Sequence, residues 1–204
     1  MAEALTGPTR RRRLTPERRR ELLRVTAQLV GEVGYDQVTM AAVAQRGRCS
    51  TATLYRQWQS KPRLVISAWK ELSGEHGHGL ERVDTGSLRG DLMALVERLL
   101  ADDAGGGAFI SVPAVIVQDE TVMEIAREIL IDPLLKDLSA LLDRAVDRGE
   151  IEAANPIVGL THQVLLGTWL AQTIVHRTPA TRELMETVVD LVLLPTLVVR
   201  YHPA

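Results

Sequence analysis

The sequence predicts an all-α protein of about nine to ten helices, with an N-terminal three-helix helix-turn-helix unit and a larger C-terminal helical part. Two observations support this. Apolar residues recur every three to four positions through most of the 204 residues. Hydroxyl side chains, some with a proline close behind, stand where these periodic segments begin and so mark helix starts. The composition, 46% hydrophobic and 25% charged, is that of an ordinary globular protein.

The four N-terminal helices are predicted to begin at the capping hydroxyls Thr15, Thr39, Ser50 and Ser60. Gly34 ends the first helix, which is the longest, and Gly47 separates the short second helix from the third. Two short helices joined by a tight turn behind a longer one form a helix-turn-helix. Short helices are marginal alone, so the pair must pack on the first helix, which leaves the opposite face of the third helix free.

Positive charge is concentrated toward the N-terminus. Residues 1–63 contain 13 Lys or Arg and 5 Asp or Glu, whereas the rest contain 11 and 21, so the net charge of −2 hides an asymmetry. This predicts a polyanionic partner for the N-terminal part; a merely solvated charged face explains the segregation less well. Residues 1–14 are predicted to form a disordered arm. Its arginine run, residues 10–13, either enters a minor groove or is a solubilising tail.

The free face of the third helix carries groups that hydrogen-bond to base edges and phosphates. They are Ser50, Thr51, Thr53, Tyr55, Arg56 and Gln57. Lys61 adds a phosphate-directed charge at the start of the fourth helix, beside backbone amides that favour anions.

The stretch GYDQVTMAAVAQRGRCSTATLYRQWQSK, residues 34–61, resembles the signature region of the tetracycline-repressor (TetR) family. The shared features are a glycine and an aromatic after the first helix, a threonine cap on the second, Thr-Leu-Tyr in the third, and an aromatic followed by Ser-Lys. The resemblance covers about 50 residues, and the rest matches in length, helical content and layout.

This resemblance implies residue roles. Thr39, Tyr55 and Lys61 would hold the phosphate backbone, although Tyr55 has the alternative of packing on the second helix. Ser50, Thr51, Thr53, Arg56 and Gln57 would face the major groove, with Arg56 as the guanine reader.

The inter-helix turn departs from the family's Ala-Gly-Val and is Gly47-Arg48-Cys49. Arg48 therefore stands where a positive φ is often needed, so either the turn is rearranged or Arg48 accepts strain. If Arg48 accepts the strain, its side chain either reaches a phosphate or is a solvated surface arginine. Cys49 is predicted to be a core thiol rather than a redox sensor.

The C-terminal part is predicted to end in two helices, about 156–177 and 180–200, that are apolar around most of their circumference. The resemblance implies that this pair forms a four-helix bundle with a second copy; burial inside one domain is the alternative. Polar or aromatic residues in apolar stretches are ligand-contact candidates, or else satisfied core and interface groups. The candidates are Gln118, His162, Trp169, Thr173 and His176.

The resemblance implies a ligand-responsive repressor that binds a palindromic DNA operator as a homodimer and is released by a small-molecule effector. Three regions are predicted: the arm at 1–14, a DNA-binding domain at 15–62, and a ligand-binding and dimerisation domain at 63–204. No catalytic, metal or cofactor motif is present, so an enzyme is not expected. No secretory signal or membrane span is evident, which favours the cytoplasm. A sequence-independent nucleic-acid binder is the rival function.

Overall fold

The computed structural model describes residues 14–74, 84–100 and 112–199, and all the regular structure in these ranges is helical. The N-terminal helices are α1 (Pro16–Gln37), α2 (Met40–Arg46), α3 (Thr51–Trp58) and α4 (Lys61–Gly74). They are followed by α5 (Leu88–Leu100), α6 (Val112–Gln118), α7 (Glu120–Ala126), α8 (Asp132–Asp147), α9 (Ile157–Leu170), α10 (Arg182–Val188) and α11 (Leu194–Val198). The all-α prediction is confirmed. The arginine run at 10–13 lies outside the described residues.

Hydroxyl caps begin α1, α2 and α3 where the sequence predicts. The hydroxyls of Thr15, Thr39 and Ser50 each accept a hydrogen bond from the backbone N–H three residues later, at 3.1–3.2 Å. Asp119 and Thr181 cap α7 and α10 in the same way. Each cap satisfies one of the amide donors that a helix start leaves unpaired. Gly34, at φ 77°, interrupts the helical backbone near the end of α1, as the sequence predicts.

Wide π-helical turns connect several α-helices into longer continuous helices. The segment Arg127–Ile131 connects α7 to α8, and Val189–Leu193 connects α10 to α11. In both cases a proline, Pro133 or Pro195, follows two residues after the segment. Because proline lacks an N–H and clashes with the carbonyl four residues before it, a wider turn at this point lets the helix continue. A third π-helical segment, Ala171–Val175, extends α9.

The buried side chains form two hydrophobic cores. The first joins α1–α4 to α6 and α7, and the second joins α5 to α8, α9, α10 and α11. Trp169 on α9 packs against both cores. Six consecutive residues of α4, 64–69, are buried, so this helix is covered on all sides along almost two turns. The first core therefore includes parts of the chain on both sides of the predicted domain limit at 62–63, and that limit stays a prediction.

A charged cluster ties the start of α5 to the end of α8. Asp91 is fully buried and accepts hydrogen bonds from the Thr85 N–H and hydroxyl at 2.7 and 2.8 Å. The Arg148 guanidinium also donates to Asp91 at 3.0 Å and pairs with Glu150. Burial acts to raise the pKa of Asp91, but the hydrogen bonds and Arg148 outweigh it, so the pKa lies below its ordinary value.

Asp91→Asn should lower the free energy of unfolding near pH 7 by roughly 2–4 kcal/mol, because it leaves the Arg148 charge without its buried partner. The depressed pKa of Asp91 means that its contribution is present above the unfolded value of about 3.9 and is lost as the pH falls through the folded value. Urea unfolding of wild type and variant should therefore differ most near neutral pH, and the difference should shrink as the pH falls below the unfolded pKa of Asp91. A difference that does not change with acidification would contradict this.

Candidate nucleic-acid interface and adjoining cavities

Apolar side chains hold α2 and α3 against α1. Val43 on α2 and Leu54 on α3 are fully buried and belong to the same core as Leu22 and Leu23 of α1. An exposed ion pair between Arg46 and Glu32, at 2.6 Å, also joins α2 to α1. The packing places α3 at the surface of the helix-turn-helix with one side free.

The free side of α3 consists of two pairs of residues spaced by four. Thr51 and Tyr55 form one pair, and Ala52 and Arg56 form the other; all four are exposed. Tyr55 is 52% exposed, while Leu54 and Trp58 on the opposite side are 0% and 2% exposed. Ala52 was not among the predicted contacts, because a methyl group carries no hydrogen-bonding signal in a sequence. An exposed methyl group of this kind can make an apolar contact with a thymine methyl in a major groove.

Three of the predicted hydroxyl contacts are engaged within the chain. Thr39 and Ser50 accept the capping hydrogen bonds of α2 and α3, and the Ser50 and Thr53 hydroxyls lie 2.9 Å apart. Thr39 and Ser50 remain exposed and Thr53 is half-buried. A hydroxyl has one donor and two acceptor positions, so a capping serine or threonine retains capacity for a phosphate.

Gln57 and Lys61 are turned away from the free side of α3. Gln57 is exposed but lines a crevice between α1 and α4. The Lys61 ammonium donates to the Asp36 carbonyl at 3.1 Å and lies 4.4 Å from the centre of the Tyr35 ring. Burial lowers the pKa of Lys61. In this conformation Lys61 fastens the start of α4 to the end of α1, a role that its position in the sequence does not reveal.

The unusual turn has Arg48 at φ 48°, so the residue with a side chain accepts the left-handed conformation. Gly47 has an ordinary φ of −78°, but a Cβ there would lie 2.5 Å from Leu22 Cδ2 and 2.9 Å from the Val43 carbonyl oxygen. The glycine is therefore required for close packing rather than for a positive φ. Arg18 donates to the carbonyls of both Gly47 and Arg48 and holds the turn from α1.

Cys49, next in the turn, is half-buried and packs against the first core. Burial raises the pKa of its thiol, while Arg18 opposes this in part. The thiolate fraction is therefore small, which agrees with an inert core thiol.

An apolar cavity of about 190 Å³ lies beside α4. We call this space the apolar cavity. Its lining includes the apolar residues Trp69, Ile116, Met123, Ile129, Leu134, Leu166 and Trp169 and the cations Lys70 and Arg98. The rings of Trp69 and Trp169 are 5.9 Å apart and tilted by 32°. Because these two residues lie on α4 and α9, this contact joins the helix-turn-helix side of the molecule to the second core.

Only one of the five predicted ligand contacts, Trp169, lines the apolar cavity. Thr173 is buried, with its hydroxyl bonded to the Trp169 carbonyl at 2.9 Å, so it is a satisfied core group. Gln118 and His176 are exposed, and His162 is half-buried outside the cavity lining. The cavity is instead formed by aliphatic side chains, which a sequence does not distinguish from ordinary core residues.

A second and more open space of about 900 Å³ lies between α1, α4 and the Arg127–Ile131 segment. We call it the basic crevice. Its lining includes the cations Arg19, Arg20, Arg24, Arg63 and Lys70, the carboxylates Glu71 and Glu128, and the side chains of Gln57 and Trp58. Arg63 and Glu128 form a two-pronged ion pair at 2.8 and 2.6 Å, which lowers the pKa of Glu128. This pair links α4 to the segment between α7 and α8.

Two family models match the chain. The model for bacterial regulatory proteins of the tetR family matches residues 22–68, and that for the tetracyclin repressor-like C-terminal domain matches residues 82–192. The chain belongs to the TetR family. TetR-family proteins are DNA-binding transcriptional regulators and not enzymes, so this protein is a DNA-binding transcriptional regulator.

Several relatives support this membership. An uncharacterized HTH-type transcriptional regulator of Mycobacterium tuberculosis is 35% identical over 187 residues, covering 88% of each chain. A DNA-binding transcriptional repressor TetR of Mycobacteroides abscessus is 31% identical, covering 76% of this chain and 86% of its own.

Solved structures share the fold of this TetR-family chain. A TetR regulator from Haloarcula marismortui has a TM-score of 0.69 at 15% identity and covers 90% of this chain and 100% of its own. FadR from Bacillus subtilis, in complex with stearoyl-CoA, has a TM-score of 0.65 at 19% identity, covering 85% and 96%. Among the described residues of the present protein, no helix combines the length and apolar character needed to cross a membrane.

Arg48→Gly should raise the free energy of unfolding by about 1 kcal/mol, because glycine adopts a positive φ without the cost that a Cβ imposes. Gly47→Ala should lower it, because a methyl group there collides with Leu22 and the Val43 carbonyl. Thermal unfolding of the two variants beside wild type tests both signs. Destabilisation by Arg48→Gly would show that the Arg48 side chain contributes more than its backbone conformation costs.

Proposed function

We propose that this regulator binds a palindromic operator as a homodimer and is released by a small-molecule effector. The observation that carries the DNA-binding half of the proposal is the exposed face of α3, with Thr51, Ala52, Tyr55 and Arg56 at helical spacing. In a helix-turn-helix protein such a face enters the major groove, and a twofold-related pair reads half-sites about 34–36 Å apart. Arg56 supplies the side chain best suited to a guanine edge.

Exposed apolar residues support dimerisation through the last two helices. Nine large hydrophobic side chains are exposed among the described residues, and six of them lie between residues 160 and 199. These six are Leu160, Val175, Leu191, Val192, Val198 and Val199. The continuous helix formed by α9 and the Ala171–Val175 segment also exposes Gly159, Gly167 and Ala171, which permit close approach of another helix. Exposed apolar side chains concentrated in this way are typical of a protein–protein interface.

The apolar cavity supports effector binding. It is lined almost entirely by apolar side chains from α4, α6, α7, α8 and α9. Such a cavity is the usual form of a small-molecule site. FadR, which has a related fold, was solved in complex with stearoyl-CoA. The apolar cavity, at about 190 Å³, is small for an acyl chain of that length, because a cavity of about 150 Å³ holds a benzene molecule. A shorter or more compact effector fits this cavity better.

The effector would act by favouring one of two conformations. Because α4 lines the cavity and also packs on α1, a ligand that shifts α4 changes the position of the helix-turn-helix. Operator affinity then falls by the difference in the ligand's binding energy between the two conformations.

Arg56→Ala should weaken binding to the operator by about 1–3 kcal/mol and relax the preference at one base pair of each half-site. Arg127→Ala removes the same charge from an exposed position outside α3 and is the matched control. Selection of genomic fragments with the purified protein, followed by mobility shifts at fixed salt, provides the operator and the affinities. Equal binding to random duplex and to the selected duplex would establish the rival, sequence-independent function.

Gly167→Leu should raise the dimer dissociation constant by at least about tenfold, because a large side chain on the exposed face of α9 holds the partner helix away. A Cβ at Gly167 meets no atom of its own chain within 4 Å, so the protomer should remain folded. Sedimentation velocity over a range of concentrations measures the association. Ser139→Leu, on the exposed face of α8, is the control for an added surface leucine. Unchanged dimerisation of Gly167→Leu would exclude this face.

A further inference from the structure

The apolar cavity and the basic crevice are adjacent. Lys70 and Ile129 line both of them, so the two spaces meet where α4 faces the Arg127–Ile131 segment. The two adjoining spaces thus offer an apolar end at Trp69 and Trp169 and a cationic end at α1 and the first turn of α4.

Positive charge in the basic crevice exceeds what its own carboxylates neutralise. Leaving Arg24 aside, four cations, Arg19, Arg20, Arg63 and Lys70, line it with only two carboxylates. Glu71 lies 3.2 Å from Arg20 and 3.8 Å from Arg19, and Glu128 is taken by Arg63. Lys70 is exposed and forms no ion pair with any residue that the structure describes. It is therefore available at the junction of the two spaces.

A buried hydrogen-bond donor at the wall of the crevice also lacks an acceptor. The indole N–H of Trp58 has no hydrogen-bond partner among the described residues, and the side chain is 2% exposed. An unpaired buried donor costs free energy, and an acceptor group within reach removes that cost. This side chain belongs to the recognition helix α3, so the crevice extends to the DNA-reading element itself.

The size of the apolar cavity limits the ligand's apolar part. A cavity of about 150 Å³ holds a benzene ring, so about 190 Å³ accommodates an apolar group of roughly eight carbon atoms.

We propose that the effector is a small amphipathic anion whose apolar part fills the apolar cavity while its carboxylate or phosphate enters the basic crevice at Lys70 and Arg63. The proposal rests on the effector-responsive function above and deepens it by naming the ligand's chemical class. The anion takes the place of Glu128 on Arg63, since both acceptors compete for the same guanidinium. Binding therefore opens the ion pair that links α4 to the segment between α7 and α8.

Octanoate, 1-octanol and octyl phosphate are suitable probes, because they share the apolar chain and differ in the head group. The chain has three tryptophans, and Trp58, Trp69 and Trp169 all line one space or the other, so tryptophan fluorescence of the full chain reports occupancy. We expect octanoate or octyl phosphate to bind on the order of tenfold more tightly than 1-octanol. Comparison of the two anions decides whether a carboxylate or a phosphate is preferred.

Lys70→Met should weaken binding of the anionic probe by about tenfold and leave 1-octanol binding unchanged, because the variant keeps the apolar stem and removes the charge. Lys136→Met, an exposed lysine on α8 outside both spaces, is the matched control and should bind the anion as wild type does.

Glu128→Gln should act in the opposite direction and tighten anion binding by roughly fivefold, because the carboxylate that competes for Arg63 is removed. Glu124→Gln, an exposed glutamate one turn earlier on α7, is its control. A purely structural role for Glu128 would weaken binding or leave it unchanged, and either result would contradict the exchange.

The proposal is overturned if 1-octanol binds as tightly as both anions, or if Lys70→Met and Lys136→Met are indistinguishable. It is also overturned if Lys70→Met weakens duplex DNA binding in the absence of any probe and does not affect anion binding, since the crevice would then be a phosphate-contact surface for DNA. Probe binding is measured without DNA, and operator binding is measured without probe. Loss of anion binding and loss of operator binding are therefore measured separately, so failure of one is distinguished from failure of the other.

Discussion

Burial of α4 fixes how the helix-turn-helix packs on the remainder of the molecule. Its residues 64–69 are buried, with α1 packed on one face and α7, the Arg127–Ile131 segment and Trp169 of α9 on the other. A helix buried in this way cannot move alone, because any shift opens apolar surface to water or drives side chains into their neighbours. The position of α1, and through it of α2 and α3, is thus linked to whatever occupies the space beside Trp69. The helix-turn-helix packs on α4, and α4 also lines the apolar cavity.

Polar residues at the two ends of this buried stretch of α4 add to the connection between the helix-turn-helix and the second core. Arg63 pairs with Glu128, and Lys70 stands where the apolar cavity meets the basic crevice. An exposed ion pair contributes little to stability, so its main consequence is geometric: it holds the start of α4 against the segment between α7 and α8. That segment is itself a π-helical turn, which a nearby proline favours over regular α-helix. A wide turn and an exposed ion pair therefore lie together between the helix-turn-helix and the second core.

The inter-helix turn shows how one fold accommodates a different local sequence. Gly47 is needed because Leu22 and the Val43 carbonyl leave no room for a side chain, and the positive φ then falls to Arg48. Arg18 from α1 compensates by donating to two carbonyls of the turn. Several polar groups near α3 likewise serve the chain first: Ser50 and Thr39 cap helices, and Lys61 binds the Asp36 carbonyl. The exposed face of α3 whose side chains have no partner among the described residues is consequently narrower than the set of polar residues around it.

The helical class and the starts of the helix-turn-helix helices are readable from the sequence alone, because caps, glycines and apolar spacing act over a few residues and do not depend on distant packing. The motif at residues 34–61 likewise indicates the family. It also predicted that Thr51, Tyr55 and Arg56 lie on the exposed face of α3, since exposure on a short amphipathic helix follows from its period. Which residues line the cavity depends on the packing of distant helices, because an aliphatic side chain facing a void and one facing a neighbour have the same sequence pattern. Thus Thr173 is a satisfied core group and Lys70 lies at a junction formed by distant parts of the chain.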